Sequence, residues 1–315
     1  MQRLRDDRGA VNVVVALLMI PLIGFAAIAV DVAALWSDRQ QLQTGADAAA
    51  LAIAQDCARG SCGAPAETAS TLTSANFGSG EATATVTTPS LSPSTGQVTV
   101  VTGTTRQHLF APVLGFDASD VGARATARWG APSGGTAVLP LAFSLCEFRA
   151  QTGGGMPSGT AERVILTTKT SGTGCTGPSG NVVPGGFGWL DTDLGSCGAT
   201  GRIGARMSSD PGTSAPSGCS PADFEAVRGR TVLLPIFDEY GSSGTNAWYR
   251  VHAYAAFTVT GYHFTGQISW NGGPQCKGND RCIKGYFTRF VDLDDAFESS
   301  PGAPDLGASL VSLTE

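Results

Sequence analysis

The sequence predicts an α+β protein: a single N-terminal transmembrane helix that extends into a long helix beside a small antiparallel sheet, followed by a disulfide-stapled, mostly-β domain. Three observations predict this class. A run of 22 residues without a formal charge, Gly9 to Val30, follows a short arginine-rich tail. All eight cysteines lie beyond that run. Glycine makes up 42 of 315 residues and charged residues only 15%, which together with many Thr- and Val-rich segments is typical of turn-rich β structure.

The apolar run is long enough to cross a membrane. As a helix it measures about 33 Å, against a hydrocarbon core about 30 Å thick. A cleavable signal peptide has a shorter apolar core, of about 7 to 15 residues, followed by a small-residue cleavage site. Here the run ends at Asp31, and a helical pattern continues through Leu35, Trp36 and Leu42. We therefore expect residues 9–30 to be a retained membrane anchor rather than a signal peptide or a buried core helix.

Basic residues predict the orientation of the anchor. Arg3, Arg5 and Arg8 lie in the tail formed by residues 1–8, whereas the turns after the span carry two aspartates and a single arginine. Positive charge is retained on the cytoplasmic side of a membrane. We expect a single-pass protein of the cell membrane, with a cytoplasmic N-terminus and an extracytoplasmic C-terminal domain.

The helix is expected to continue beyond the membrane. Apolar residues recur at near-helical spacing from Asp31 to about Ala58, and Arg59-Gly60 is a typical stop. Pro21 predicts a kink inside the membrane. The apolar stripe on this helix needs a cover, which is either the protein's own sheet or a partner helix, and we favour the sheet. The stripe consists of Leu35, Leu42, Ala46, Ala49 and Ile53.

A second helix over residues 66–77 and a small sheet are expected to complete a module over residues 31–130. The expected strands are 82–88, 97–105 and 121–129, and the last of them alternates apolar and polar residues from Val121 to Trp129. Residues 131–137, Ala-Pro-Ser-Gly-Gly-Thr-Ala, are expected to be a linker by composition.

Residues 138–315 are expected to form an extracytoplasmic Gly-rich β domain. A tight turn at Thr260-Gly261 would separate two of its strands and place His252 near Ser269, away from His263. The candidate strands are 137–145, 163–169, 230–237, 249–260, 262–270 and 282–291.

The cysteines are expected to form disulfides, because they are even in number and lie outside the membrane. Zinc is not expected, since no CxxC pair occurs and only three histidines are available. The expected local bridges are Cys57–Cys62 and Cys276–Cys282, and the pairing of the others is left open. The full set is Cys57, Cys62, Cys146, Cys175, Cys197, Cys219, Cys276 and Cys282.

The sequence offers little that indicates catalysis. His252 and His263 fall on the polar phase of their strands, where exposure is the simpler interpretation. The acidic clusters Asp191/Asp193 and Asp292/Asp294/Asp295 match no calcium-binding loop, and no nucleophile elbow occurs. A net charge of −6 without a basic patch argues against nucleic-acid binding. We expect no enzyme activity, catalytic residue, metal or cofactor.

An ordered set of short motifs runs through the first ~60 residues. Asp-Arg-Gly-Ala-Val at 7–11 is followed by the apolar run ending in Val-Asp at 30–31, by Gln-Leu-Gln at 41–43 and by Ala-Asp-Ala-Ala-Ala-Leu-Ala at 46–52. In this order they resemble the TadE/TadG-like proteins of the Tad (Flp) pilus assembly system. The stretch from Phe110 to Ala127 is also similar to that family, so the resemblance covers roughly residues 1–130.

Two departures from the family pattern qualify the resemblance. Processed pilins of this system carry a glutamate about five residues after a glycine, whereas Val14 takes that place after Gly9. We therefore expect the N-terminal tail to be retained. The Asp-x-Ser-x-Ser metal loop of some TadG-like proteins does not occur, so metal-dependent adhesion of that kind is not supported.

The resemblance implies a membrane-anchored, non-enzymatic component of Tad/Flp pilus assembly, either minor pilin-like or a scaffold, with other pilus assembly proteins as partners. The outer part of the chain leaves alternatives open. It is an anchored surface adhesin or carbohydrate-binding module if exposed aromatics group on one sheet face. It is an envelope or secretion accessory protein if the protein acts apart from pili, and an enzyme if Asp, His and Ser converge in a pocket.

Overall fold

The computed structural model describes residues 8–167, 174–178, 180, 183, 185–241, 244–264, 267–274, 276, 278–292 and 296–314. Its first element, α1 (Arg8–Ala58), is one helix of 51 residues. The predicted extension of the apolar run into a long helix is thereby confirmed. Pro21 lies inside α1. A shorter helix, α2 (Pro65–Asn76), follows and packs closely on α1: a Cβ added at Gly45 would lie 3.1 Å from Thr73 Cα.

The predicted small antiparallel sheet follows α2. Its strands are β1 (Thr83–Leu91), β2 (Gly96–Gln107) and β3 (Ala118–Gly130). A short 3-10 helix (Ala111–Leu114) connects β2 to β3. In the second half of β3, burial alternates as the sequence predicts, with Ala125, Ala127 and Trp129 turned inward.

The rest of the chain is mostly β. Its described α-helices are α3 (Leu145–Thr152) and α4 (Pro221–Ala226), and a 3-10 helix spans Gly244–Asn246. Its first strands are β4 (Pro132–Ala137), β5 (Leu141–Ser144), β6 (Arg163–Leu166), β7 (Phe187–Trp189), β8 (Ala199–Arg202) and β9 (Arg206–Ser208). They are followed by β10 (Thr231–Gly241), β11 (Trp248–His263), β12 (Ser269–Trp270), β13 (Cys282–Thr288), β14 (Phe290–Asp292), β15 (Phe297–Ser299) and β16 (Ala308–Thr314).

The described strands form three sheets. The N-terminal sheet has the order β1-β2-β3-β16-β14, the large sheet the order β6-β13-β11-β10-β5-β7 with β9 and β12 also paired to β11, and the small sheet the order β15-β4-β8. β16 pairs antiparallel with β3, from Leu310 opposite Gly130 to Thr314 opposite Thr126. The N-terminal sheet, expected to end at residue 130, therefore contains strands from the end of the chain.

The segment expected to be a linker is a strand. β4 pairs with β15 on one side and with β8 on the other. Its glycines serve close packing rather than flexibility: Gly135 has a positive φ of 154°, and a Cβ there would collide with the Ala296 carbonyl oxygen. The composition of this segment gave the wrong interpretation, because glycine permits both a loose chain and a tightly covered strand.

The turn expected at Thr260-Gly261 is also absent from the described β11, which runs on to His263. Pairing with β13 shifts register between Val259 and Gly261, and a Cβ at Gly261 would collide with the Asn271 backbone. Gly261 thus marks a bulge and a close approach of chain segments. His263, not His252, lies opposite Ser269.

Candidate functional site

The first half of α1 is an exposed apolar surface. Described side chains from Asn12 to Val30 lie almost entirely outside the protein's own core; Ile20 and Phe25 are each 72% exposed. By length and composition the helix can span a membrane: its most apolar window of 18 residues has a mean hydropathy of 2.9 and is not buried by the protein. An uncovered apolar surface of this kind marks contact with a membrane or partner, and its length indicates membrane anchoring. We call residues 12–30 the apolar segment.

The structure does not describe the side chains of the three arginines that predict the orientation. Arg3 and Arg5 lie outside the described residues. Arg8 is the first residue of α1, and its side chain is likewise not described. Orientation therefore stays a prediction.

The second half of α1 is covered by the protein itself. Leu42, Ala46, Ala49 and Ile53 have no exposed surface, and Leu35, closest to the apolar segment, is half-buried. Ala46, Ala49 and Ile53 share one core with Val98 and Val100 of β2, Ala125, Ala127 and Trp129 of β3, and Val311 of β16. The cover of the stripe is thus the N-terminal sheet.

A carboxylate sits at the boundary between the two halves of α1. Asp31 is buried, and its Oδ1 accepts a hydrogen bond from Leu109 N at 2.8 Å. Its Oδ2 accepts from Phe110 N at 2.9 Å and from Ala111 N at 2.7 Å. This arrangement, which we call the Asp31 clasp, ties the loop after β2 to the last turn of the apolar segment.

The clasp is built for the ionised form of Asp31. Burial alone would raise the pKa of this carboxyl, but the hydrogen bonds from the three backbone N–H groups, together with nearby His108, outweigh it and lower the pKa below 3.8. Asp31 is therefore charged at neutral pH, and its carboxylate oxygens accept hydrogen bonds from the loop backbone.

Further polar links fix the helix to the sheet just beyond the clasp. Arg106 Nη1 lies 3.3 Å from Oδ2 of buried Asp38. The hydroxyl of Thr102 donates to the Leu42 carbonyl oxygen at 3.1 Å. Removing the Arg106 guanidinium would leave the buried Asp38 carboxylate without this partner, so the pair helps to specify how α1 lies on the sheet.

All eight cysteines are bridged. The pairs are Cys57–Cys62, Cys146–Cys175, Cys197–Cys219 and Cys276–Cys282. The two local bridges are those expected from the sequence. The other two connect residues 29 and 22 positions apart, and they tie down loops of the β-rich part.

The histidines do not converge. His252 Nδ1 lies 3.9 Å from Asp238 Oδ2, and the ring is half-buried rather than exposed as expected. Burial lowers its pKa although the Asp238 charge opposes this. His263 bonds the Ser269 hydroxyl and the Gly278 carbonyl oxygen, and His108 bonds the Ser119 hydroxyl. Each has a local structural role.

Acidic groups also fail to build a site. Over the residues that the structure describes, no group of three His, Cys, Asp or Glu side chains is placed to hold a metal ion. Asp193 is engaged by Thr200, while burial and the Asp191 charge raise the pKa of Asp210. Asp294 and Asp295 lie outside the described residues.

Two observations bear on the alternatives for the part of the chain beyond residue 130. A groove of about 590 Å³ at the small sheet is lined by Asp191, Asp193, Arg202, Arg206 and Glu298 among others, with no histidine among its described lining residues. Of the aromatic side chains described beyond residue 130, Tyr240 alone is strongly exposed. Neither a catalytic constellation nor an aromatic platform is present in these described parts.

The sequence pointed to the stripe but not to the clasp. The sequence predicts a short helix or an irregular apolar stretch over residues 106–115, and it marks Asp31 as the end of the apolar run. Nothing in their spacing, 78 positions apart for Leu109, indicated that they meet. An aspartate directly after an apolar run was the available signal.

Comparison with known proteins finds a family match for the N-terminal region. No curated protein and no solved structure matches the chain. Residues 9–56, which are almost the whole of α1, match the Tad family model, described as "Putative Flp pilus-assembly TadE/G-like". The N-terminal region of this chain is therefore Tad-like, which supports an involvement in Flp pilus assembly.

Proposed function

We propose that this protein is a non-enzymatic, single-pass membrane component of Tad/Flp pilus assembly, minor pilin-like or scaffold in role, with its N-terminus in the cytoplasm and its sheets outside. The carrying observation is that the family match coincides with α1. That helix combines an exposed apolar segment with a stripe buried by the protein's own sheet.

The division of α1 bears on where partners bind. Because the stripe is already covered, we propose that a partner helix contacts the apolar segment, inside the membrane. Gly24 lies there, and a Cβ added to it would meet no atom within 4 Å. Small residues allow helices to approach closely in lipid, and we propose this face of the segment as the contact with other pilus assembly proteins.

The disulfides support the proposed orientation. Bridges persist in oxidising compartments and are rare in the cytosol, and all four lie after the apolar segment. A phosphatase reporter that is active only outside the membrane, fused after Glu315, should be active. A reporter that is fluorescent only in the cytoplasm should be dark at the same position. The reverse pair of results would overturn the orientation.

The assembly role is tested by a clean gene deletion. We expect fewer or no pili by electron microscopy, and restoration by the full-length chain. Restoration should fail with Gly24→Leu but succeed with Leu194→Ala, a change at an exposed position outside the membrane. Export of an unrelated envelope protein should be unchanged. Normal pili in the deletion strain would refute the assembly role. A general export defect would favour the alternative that this chain is an envelope or secretion accessory protein.

A further inference from the structure

A second apolar surface lies beside the apolar segment. Within the eight residues 109–116, five large hydrophobic side chains are strongly exposed, with Val113 at 90% and Phe116 at 66%. The other large exposed hydrophobics beyond α1 are scattered singly in the described chain. We call residues 109–116 the apolar loop; its exposed members are Leu109, Phe110, Val113, Leu114 and Phe116.

The position of the apolar loop is fixed by the Asp31 clasp. Three of its backbone N–H groups lie within 2.9 Å of a carboxylate that directly follows the last apolar residue of the span. The loop therefore lies at the depth where α1 leaves the hydrocarbon. On α1 itself, exposed Val32 and Trp36 continue the surface beyond this level, and tryptophan is enriched at membrane–water interfaces.

The backbone of the loop is prepared for an environment with little water. Besides the three N–H groups held by Asp31, Val113 N donates to Phe110 O, Gly115 N to Pro112 O and Phe116 N to Ala111 O. Pro112 has no N–H to satisfy. Non-helical backbone is tolerated near lipid only when its polar groups are satisfied within the protein.

We propose that the apolar loop inserts into the membrane interface beside α1 and forms a second membrane contact of the folded part. Its occupant is the lipid bilayer, because the loop is continuous with the apolar segment, carries no charged side chain and has hydrogen-bond acceptors for six of the seven backbone N–H groups of residues 109–116. With α1 and the loop both embedded, the N-terminal sheet is held at a fixed height and tilt on the membrane. The proposal rests on the membrane anchoring in the proposed function, but not on the pilus role.

The full-length chain in phosphatidylcholine–phosphatidylglycerol vesicles provides the test. The eight native cysteines are bridged, so a single added cysteine takes a nitroxide label under non-reducing conditions. Val113→Cys reports the loop, Ile20→Cys the apolar segment, and Leu194→Cys an exposed apolar position far along the chain. Collision with oxygen, which concentrates in lipid, is compared with collision with a water-soluble nickel chelate.

The ratio of oxygen to nickel collisions at position 113 should be several-fold higher than at 194 and approach that at 20. A ratio at 113 equal to that at 194, with a high ratio at 20, would overturn the proposal and assign the loop to a protein partner. A low ratio at 20 as well would overturn the membrane anchoring and the proposal with it. Pilus formation enters none of these readouts, so failure here is distinct from failure of the assembly role.

Discussion

The N-terminal sheet and the large sheet of this protein are stabilised by cores of different kinds. Beneath α1 the core consists largely of alanine, with seven alanines among its thirteen buried members and Trp129 as the sole ring among them. The large sheet instead buries a contiguous group of aromatic rings. Trp189, for example, lies 4.8 Å from Phe264 and 5.7 Å from Phe187 between ring centroids. Small side chains let a helix lie close to a sheet along its length, whereas each aromatic ring buries a large area.

This difference matches the distribution of the disulfides. Three of the four bridges, Cys146–Cys175, Cys197–Cys219 and Cys276–Cys282, staple loops in the β-rich part. The bridge near α1 closes only a short stretch after the helix end. The alanine core therefore relies on contacts between distant segments, including Val311 of the last strand. The family match ends at residue 56. The sheet residues that cover the matched helix therefore lie outside the match.

The largest expected effect comes from charging the buried face of α1, where Leu42 and Ile53 have no exposed surface. Leu42→Asp combined with Ile53→Asp should abolish folding around α1. Truncating such a buried side chain to alanine already costs about 2–5 kcal/mol, and a buried unpaired carboxylate costs more. Two such losses are comparable to a typical total stability of about 5–15 kcal/mol. Thermal unfolding and limited proteolysis of the full chain in detergent provide the measurement.

The matched control places the same two charges elsewhere on the helix. Gln40 is exposed and Gln55 half-buried at the edge of the covered face, so Gln40→Asp with Gln55→Asp should retain a melting temperature near that of the wild type. If the Leu42/Ile53 variant melts like this control, the sheet is not what stabilises α1, and a partner helix becomes the better explanation of the stripe.

The second prediction compares bridges from the two regions. Removing Cys146–Cys175 with alanine substitutions should destabilise the protein by about 3.6 kcal/mol, and removing Cys57–Cys62 by about 2.1 kcal/mol, from the entropy of closing loops of different length. The residues of these pairs are 29 and 5 positions apart. Denaturant unfolding of both double variants against the wild type measures the difference. A larger loss at Cys57–Cys62 would show that α1 needs its short staple more than its core contacts indicate.

The sequence was sufficient for features that depend on local pattern. The run of uncharged residues predicted one long helix, period-two alternation predicted β3, and short spacing predicted two of the four bridges. The burial of the stripe at Leu42 and Ile53 also follows the helical period. In each case the determining residues lie within a few turns of one another, so their period or spacing alone carries the information.

Features that depend on distant contacts were not accessible in this way. β16 completes the N-terminal sheet from the other end of the chain, and no local signal marks it as the neighbour of β3. The sequence predicts a linker around Gly135 and a turn at Gly261, whereas both glycines permit a close approach of a distant backbone. The Asp31 clasp belongs to the same class, because its partners are separated by two strands and a helix. The local sequence shows which backbone conformations a residue can adopt, and contacts with distant segments determine which of them it takes.

The smallest expected effect concerns the pH dependence of that clasp. The pKa of Asp31 is lowered on folding, so the clasp is fully formed above 3.8, the ordinary value, and is lost only as the pH falls through the lower folded value. A nitroxide at Val113→Cys should therefore keep constant mobility from neutral pH to 3.8 and become more mobile below it. Adding Asp31→Asn should make the label mobile throughout, since an amide cannot accept with both of its polar atoms. His108→Gln removes a nearby positive charge and should move the transition slightly upward. If the Asp31→Asn label is as immobile as the wild type at neutral pH, the loop is held by its apolar surroundings rather than by the carboxylate at the end of the span.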